Sequence, residues 1–247
     1  MKLNKLMFRE YDIRGIWNED ITEEISYYIG RAYATKLLSL RKNKMIVGYD
    51  NRLSSPIIEK NLVKGLTDGG VDVVRLGLVT TPMYYYAWDK LNIHCGIMIT
   101  ASHNPKEYNG FKISYNGIHN CFGSEVVELY YIILNGIYSE GNGSITDANI
   151  KEDYIKMINS HINIGSNKLK VIYDCGNGTT SIVAKDIFVS NDNIEYIPLF
   201  AESDGTFPNH HPDPAVESNL TILKEKVKEL NADCGIAFDG DGDRVGV

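Results

Sequence analysis

The chain is 247 residues long, 43% of them hydrophobic, with a formal net charge of -7. That length suits two domains of about 100 to 150 residues, each able to bury a core. The acidic balance and the lack of a polybasic run exclude general nucleic-acid binding, and no stretch approaches the roughly 18 apolar residues of a membrane span.

Nothing near Met1 reads as a signal peptide, because charged residues interrupt each short apolar stretch. Glu23 and Glu24 after Thr22 suit a helix start, with Ile25, Ile29, Ala32 and Leu37 along one face. Met45 to Tyr49 reads as a strand. Ser55-Pro56 reads as a cap and a first helical residue, followed by Ile58, Leu62 and Leu66 at four-residue spacing until Gly69-Gly70. Val71 to Leu76 is strand-like, Thr81-Pro82 opens a helix to about Lys90, and Gly96 to Ile99 is a short buried strand. Tyr84 to Tyr86, with Trp88, reads as packing. A strand from Phe111 to Tyr115 closes on the hairpin signal Asn116-Gly117.

Gly141-Asn142-Gly143-Ser144 marks a boundary, with a helix from about Ala148. Beyond it, strands at Leu169 to Tyr173, Ile194 to Pro198 and Cys234 to Phe238 are separated by helices at Thr180 to Phe188 and Leu220 to Leu230. His210 and His211, beside Pro212, read as ordinary loop residues. Cys95, Cys121, Cys175 and Cys234 form no close pair like a zinc clasp and read as reduced, mostly buried thiols, which suits the cytoplasm.

Chemistry concentrates in two loops. Asp239, Asp241 and Asp243 alternate with Gly240 and Gly242, which let the backbone curl until the carboxylates converge. Two like charges about 4 Å apart repel by roughly 4 kcal/mol at an effective dielectric of about 20, so the cluster needs a cation or protons. An all-carboxylate set suits magnesium, manganese or calcium. An EF-hand needs glycine at the sixth position, where this sequence has Arg244. The second loop, Thr100-Ala101-Ser102-His103-Asn104-Pro105, follows a strand and so presents a serine at the carboxyl end of a sheet, where open α/β folds bind ligands.

These two loops, with Phe8 to Gly15, Tyr108 to Lys112, Gly48 to Ser54, Asp174 to Gly178 and Asp204 to Asn209, resemble the α-D-phosphohexomutase superfamily. Within it the resemblance is to the bacterial phosphomannomutase/phosphoglucomutase group, isomerases of carbohydrate metabolism. It implies an α/β fold of two consecutive, topologically similar domains, 1–147 and 148–247, each a mixed sheet packed between helices. Cys95-Gly96-Ile97 before the serine loop and Cys234-Gly235-Ile236 before the aspartate loop fit such a repeat.

The resemblance further implies that Ser102 carries the phosphoryl group and that Asp239, Asp241 and Asp243, with the Ser102 phosphate, hold one Mg ion. Arg14, Lys112 and Arg244 are expected near the phosphoserine, His103 beside it, and Tyr11 along the site. Lys112 would serve as acid or base near the sugar hydroxyl, provided its neighbours lower its pKa. Hexose phosphates are the implied substrates, and glucose 1,6-bisphosphate or a related hexose bisphosphate the priming donor. Family members continue into third and fourth domains that this sequence does not contain. Weak or absent turnover is therefore expected, with a complementing C-terminal half as partner. Two alternatives stay open: an aspartyl-phosphate phosphotransferase of haloacid-dehalogenase type with Asp239 as nucleophile, and a non-catalytic fragment that binds phosphosugar or metal.

Overall fold

The computed structural model describes residues 3–117 and 119–247; Met1 and Lys2, the first positions of the expected first domain, and Ile118 lie outside them. In chain order the elements are β1 (Ile13–Ile16), α1 (Glu23–Ser39), β2 (Lys44–Tyr49), α2 (Ser55–Asp68), β3 (Asp72–Leu78), α3 (Thr81–Leu91), β4 (Gly96–Ile99) and β5 (Tyr108–Ser114). They continue with α4 (Ser124–Asn135), β6 (Ile145–Asp147), α5 (Lys151–His161), β7 (Leu169–Asp174), α6 (Ala184–Val189), β8 (Ile194–Leu199), α7 (Thr221–Glu229), β9 (Cys234–Phe238) and β10 (Val245–Gly246). No helix of the described residues is long and apolar enough to cross a membrane.

The strands form two mixed sheets, ordered β1-β5-β4-β2-β3-β6 and β10-β9-β7-β8. Alternation along the strands divides the first sheet's side chains between two cores. Met45, Val47, Ile97 and Ile99 join α1, α2 and α4 on one face, whereas Ile46 and Met98 join Met83, Tyr84, Ala87 and Trp88 of α3 on the other. Ile150 and Tyr154, at and within α5, complete that second core together with Val183. In the second sheet, Ile172 and Ala237 pack with Leu223 of α7, and Tyr173 packs with Ala184 and Phe188 of α6.

The sheets repeat one plan. In the first, β2 lies parallel between β3 and β4, and β4 pairs antiparallel with β5. In the second, β7 lies parallel between β8 and β9, and β9 pairs antiparallel with β10. The serine loop joins β4 to β5, and the aspartate loop joins β9 to β10.

Several expectations shift. Thr22 caps α1, accepting from Ile25 N at 3.2 Å, but the caps of α2 and α3 fall one residue early, at Ser54 and Thr80. Ser55 is instead buried with its hydroxyl on Asp50, and the Thr81 hydroxyl lies on Asp241, so neither is free to cap its own helix. The helix placed at Ala148 starts at Lys151, because the Asn149 side chain accepts from Lys151 N and holds the chain in a turn. Residues 180–188 divide into a 3-10 turn, Thr179–Ile182, and α6. Asn116-Gly117 forms a turn braced by the Ser114 hydroxyl, but it leads into α4 and not into a second hairpin strand.

Helices α1 and α2 cross with almost no room. A Cβ on Gly30 would stand 2.3 Å from Leu62 O, and one on Gly65 2.1 Å from Tyr27 O. Gly65→Ala therefore forces the helices apart and is expected to lower stability by about 1–3 kcal/mol despite alanine's better helix propensity. Urea denaturation measures it; unchanged or increased stability would show that the crossing yields.

Candidate active site

Ser102 follows β4 on a loop held from behind by Arg52. The Arg52 side chain is 0% exposed, and its guanidinium donates to the carbonyls of Ser102 at 2.8 Å, Asn104 at 2.6 Å, Pro105 at 2.6 Å and Tyr108 at 3.1 Å. Asp50 balances the charge at 3.2 Å from Arg52 Nε. Thr100 Oγ1 accepts from Ser102 N at 2.8 Å. These bonds hold Ser102 at φ +53°, a left-handed conformation that a non-glycine residue keeps only where its surroundings impose it.

The aspartate loop approaches from the other sheet. A Cβ on Gly240 would lie 2.5 Å from Ser102 O, so glycine there is a condition of contact between the loops. Ser102 Oγ donates to Asp239 Oδ2 at 3.0 Å, and Arg244 Nη2 donates to Ser102 Oγ at 2.5 Å. Arg244 also bonds both oxygens of Asp239, through its backbone N–H at 3.0 Å and Nε at 2.9 Å, and meets His103 Nδ1. Burial and then Arg244 lower the His103 pKa, so the ring is neutral and Nδ1 is free to accept.

Asp239, Asp241 and Asp243 bring one ligand oxygen each to within 4.8 Å of one another. Burial, then Asp241 and Asp243, push Asp239 up to about 7, so the cluster keeps a proton where no cation balances it. Burial also opposes ionisation of Asp241, but the Lys112 ammonium at 2.7 Å and the Thr81 hydroxyl at 2.6 Å hold its carboxyl below the usual range. Asp241 Oδ1 is buried without a partner among the described atoms. A hard divalent cation fits this set: all-oxygen donors, excess negative charge and one orphaned oxygen.

Lys112 bridges Asp241 and Asp243, at 2.7 and 2.5 Å. Burial works against its charge, yet the two carboxylates win and its pKa is raised above the ordinary lysine value. This reverses the condition set for Lys112 as a base, since two anions within hydrogen-bond reach favour the ammonium. Arg14 lies one contact away from the centre, donating to Asn104 Oδ1 at 2.8 Å and to Asp12 Oδ2 at 2.5 Å. Tyr11 stands 70% exposed on the loop before β1.

His210 pairs with Asp174, at 3.0 Å, away from the aspartate cluster. Thr81, Arg52 and Asp50 escape the sequence reading. Arg52 lies inside a resembling motif, but nothing in a loop arginine announces four backbone carbonyls as its partners. Thr81 reads as a cap, and only its tertiary partner shows otherwise.

Comparisons with known proteins identify the family. Residues 5–126 match the family model "Phosphoglucomutase/phosphomannomutase, alpha/beta/alpha domain I", and residues 152–247 match that for domain II. A phosphomannomutase/phosphoglucomutase of Pseudomonas syringae is 46% identical over 241 residues, covering 98% of this chain and 51% of the relative. A phosphoglucomutase of Neisseria meningitidis is 40% identical over 243 residues, covering 98% and 52%. A crystal structure of a phosphoglucomutase/phosphomannomutase family protein from Burkholderia thailandensis superposes with a TM-score of 0.93 at 35% identity, covering 99% of this chain and 55% of that one. The chain thus spans about half the length of the curated relatives it matches. With both family domains matched in order and the two loops in contact between them, the chain belongs to the phosphoglucomutase/phosphomannomutase family.

Proposed function

We propose that this chain carries the phosphoserine half of a phosphohexomutase centre. The supporting observation is the meeting of Ser102 Oγ with Asp239 and Arg244, which puts a hydroxyl from one sheet against a carboxylate cluster and a cation from the other. In the cycle, the bond from phosphorus to Ser102 Oγ breaks as a bond to a hexose monophosphate hydroxyl forms, and the hydroxyl proton leaves to a base. The resulting bisphosphate reorients and returns its other phosphoryl group to Ser102, so no phosphate is consumed. Glucose 1,6-bisphosphate or a related hexose bisphosphate would prime the serine.

Asp239, Asp241, Asp243 and the Ser102 phosphate would hold one Mg ion, which supplies a positive charge that offsets the transferring group. Arg244 borders the Ser102 hydroxyl, with His103 against the same arginine nitrogen, and both would stabilise charge on the equatorial oxygens. Arg14, through Asn104, would order the loop's outer edge and reach phosphate, with Tyr11 at the rim. Lys112, charged in the arrangement described, would donate a proton to the sugar oxygen that leaves phosphorus when the other phosphoryl group returns to Ser102.

The domains divide at 147/148, after the last strand of the first sheet. The protein works in the cytoplasm on hexose phosphates, and these 247 residues by themselves turn over weakly. Asp239 makes a poor nucleophile: it is 0% exposed and both oxygens are hydrogen-bonded.

Incubation with magnesium and glucose 1,6-bisphosphate is expected to add one phosphoryl group at Ser102, mapped by intact mass and peptide fragmentation and lost in Ser102→Ala. Phosphate on Asp239, or none at any donor concentration, would overturn the reading. A second expectation concerns protons. Because Asp239 titrates at about 7, a cation must displace its proton at lower pH, so divalent-ion affinity should rise about tenfold from about pH 6 to about pH 8. Calorimetry in buffers of different ionisation enthalpy should show proton release, and Asp239→Asn should flatten the profile; a flat profile for the unaltered chain would count against this linkage.

A further inference from the structure

We propose that Thr81 is a positioning residue for the divalent cation, fixing the Asp241 carboxylate so that Oδ1 is the oxygen it offers. The inference rests on reading Asp239, Asp241 and Asp243 as cation ligands.

Thr81 grips Asp241 at two points: its Oγ1 donates to Asp241 Oδ2 at 2.6 Å, and its backbone N–H donates to the Asp241 carbonyl at 2.9 Å. Both residues are 0% exposed. Oδ2 also accepts from Lys112 Nζ at 2.7 Å and is thereby saturated, while Oδ1 is buried without a partner among the described atoms. Leaving a carboxylate oxygen buried and unpaired is costly unless a ligand completes it. The two donors differ in stiffness. Lys112 reaches Asp241 on a long flexible stem, whereas a β-branched residue at the start of a helix has few rotamers.

Thr80 takes the capping bond, to Met83 N at 3.2 Å, which leaves the Thr81 hydroxyl free for Asp241. Helix α3 is in turn anchored by Met83, Tyr84, Ala87 and Trp88 in the core. The bond therefore ties a ligand of the second sheet's loop to the rigid interior of the sheet that bears Ser102. Without the hydroxyl, the carboxylate would be free to rotate and exchange its oxygens, and the cation would meet a disordered ligand.

Mn²⁺ serves as the probe, titrated into the full chain and followed by electron paramagnetic resonance. Thr81→Val, which keeps the shape and loses the hydroxyl, is expected to weaken Mn²⁺ binding about 10- to 100-fold, the usual effect of removing a hydrogen-bond partner from a metal ligand. Thr81→Ser, which restores the hydroxyl, is expected to remain within about 3-fold of the unaltered chain. Thermal unfolding in chelator establishes that the variants are folded, and Thr81→Ala is read in place of the valine if that one is not. Unchanged affinity on loss of the hydroxyl, or an equal loss in Thr81→Ser, would sink the positioning role while leaving the ligands in place. Failure of the unaltered chain to bind Mn²⁺, or full binding by Asp241→Asn, would instead remove the ligand reading and this inference with it.

Discussion

Three carboxylates brought together, two of them fully buried and the third at the surface, repel one another, and the surrounding structure is arranged to make that tolerable. Ligand oxygens within 4.8 Å correspond to roughly 3.5 kcal/mol of repulsion per fully charged pair at an effective dielectric of about 20. The compensation comes from both sheets. Lys112 on β5 is shared by Asp241 and Asp243, Arg244 covers Asp239, and Thr81 and Ser102 donate hydroxyls from the first domain. The interface between the two sheets is thus partly an electrostatic device. Separating them would strip the cluster of Lys112, Thr81 and Ser102 at once.

The repeated sheet plan explains how the two loops come to face each other. Each follows the carboxyl end of a strand that lies beside the central parallel pair, and each returns on an antiparallel strand. Open sheets place their ligand sites at such ends. Two units set with these ends together need only let the backbones touch, and Gly240 against the Ser102 carbonyl provides that approach. The contact continues along the seam: Asn51 N–H donates to Thr179 Oγ1 at 3.1 Å and its side chain donates to Asn177 O at 2.7 Å. Phe207, from the second unit, stacks over the Arg52 guanidinium at 5.3 Å, covering the group that shapes the serine loop.

Much of this was legible because local and tertiary demands coincide. Ile58, Leu62 and Leu66 recur at helical spacing and are 0% exposed, and β4 and β9 are short apolar runs with the bounds their composition indicates. Local signals misled where a side chain had a partner outside its own helix. Ser55 and Thr81 look like caps, but Asp50 and Asp241 claim their hydroxyls; the cap positions fall to Ser54 and Thr80, of which only Thr80 makes the capping bond. Helix α4 follows a turn that reads as a hairpin, since Asn-Gly fixes a reversal without specifying what comes next. The charge state of Lys112 depends on residues more than a hundred positions away, and the task of Arg52 depends on carbonyls, which every sequence has everywhere.

The same charges bear on how the proposed centre would fill. With Asp239 ionised, three carboxylates face Lys112 and Arg244, leaving an excess of one negative charge. A divalent cation alone would reverse that excess, and a phosphoryl dianion alone would triple it, whereas the two together leave it unchanged. Each therefore makes room for the other, and by linkage the coupling is mutual: whatever the cation adds to phosphoryl affinity at Ser102, the phosphoryl group adds to cation affinity. Steric demands point the same way. Arg244 Nη2 lies 2.5 Å from Ser102 Oγ, in space that a phosphoryl group would need. The arginine must then exchange a hydroxyl partner for phosphate oxygens, while its bonds to Asp239 keep it within reach. An arginine that is 41% exposed has the freedom to make that exchange, and Asp239, fully buried, has none. In the proposed cycle the exposed arginine and the buried aspartate would thus have separate tasks, one following the transferred group and the other holding the place to which it returns.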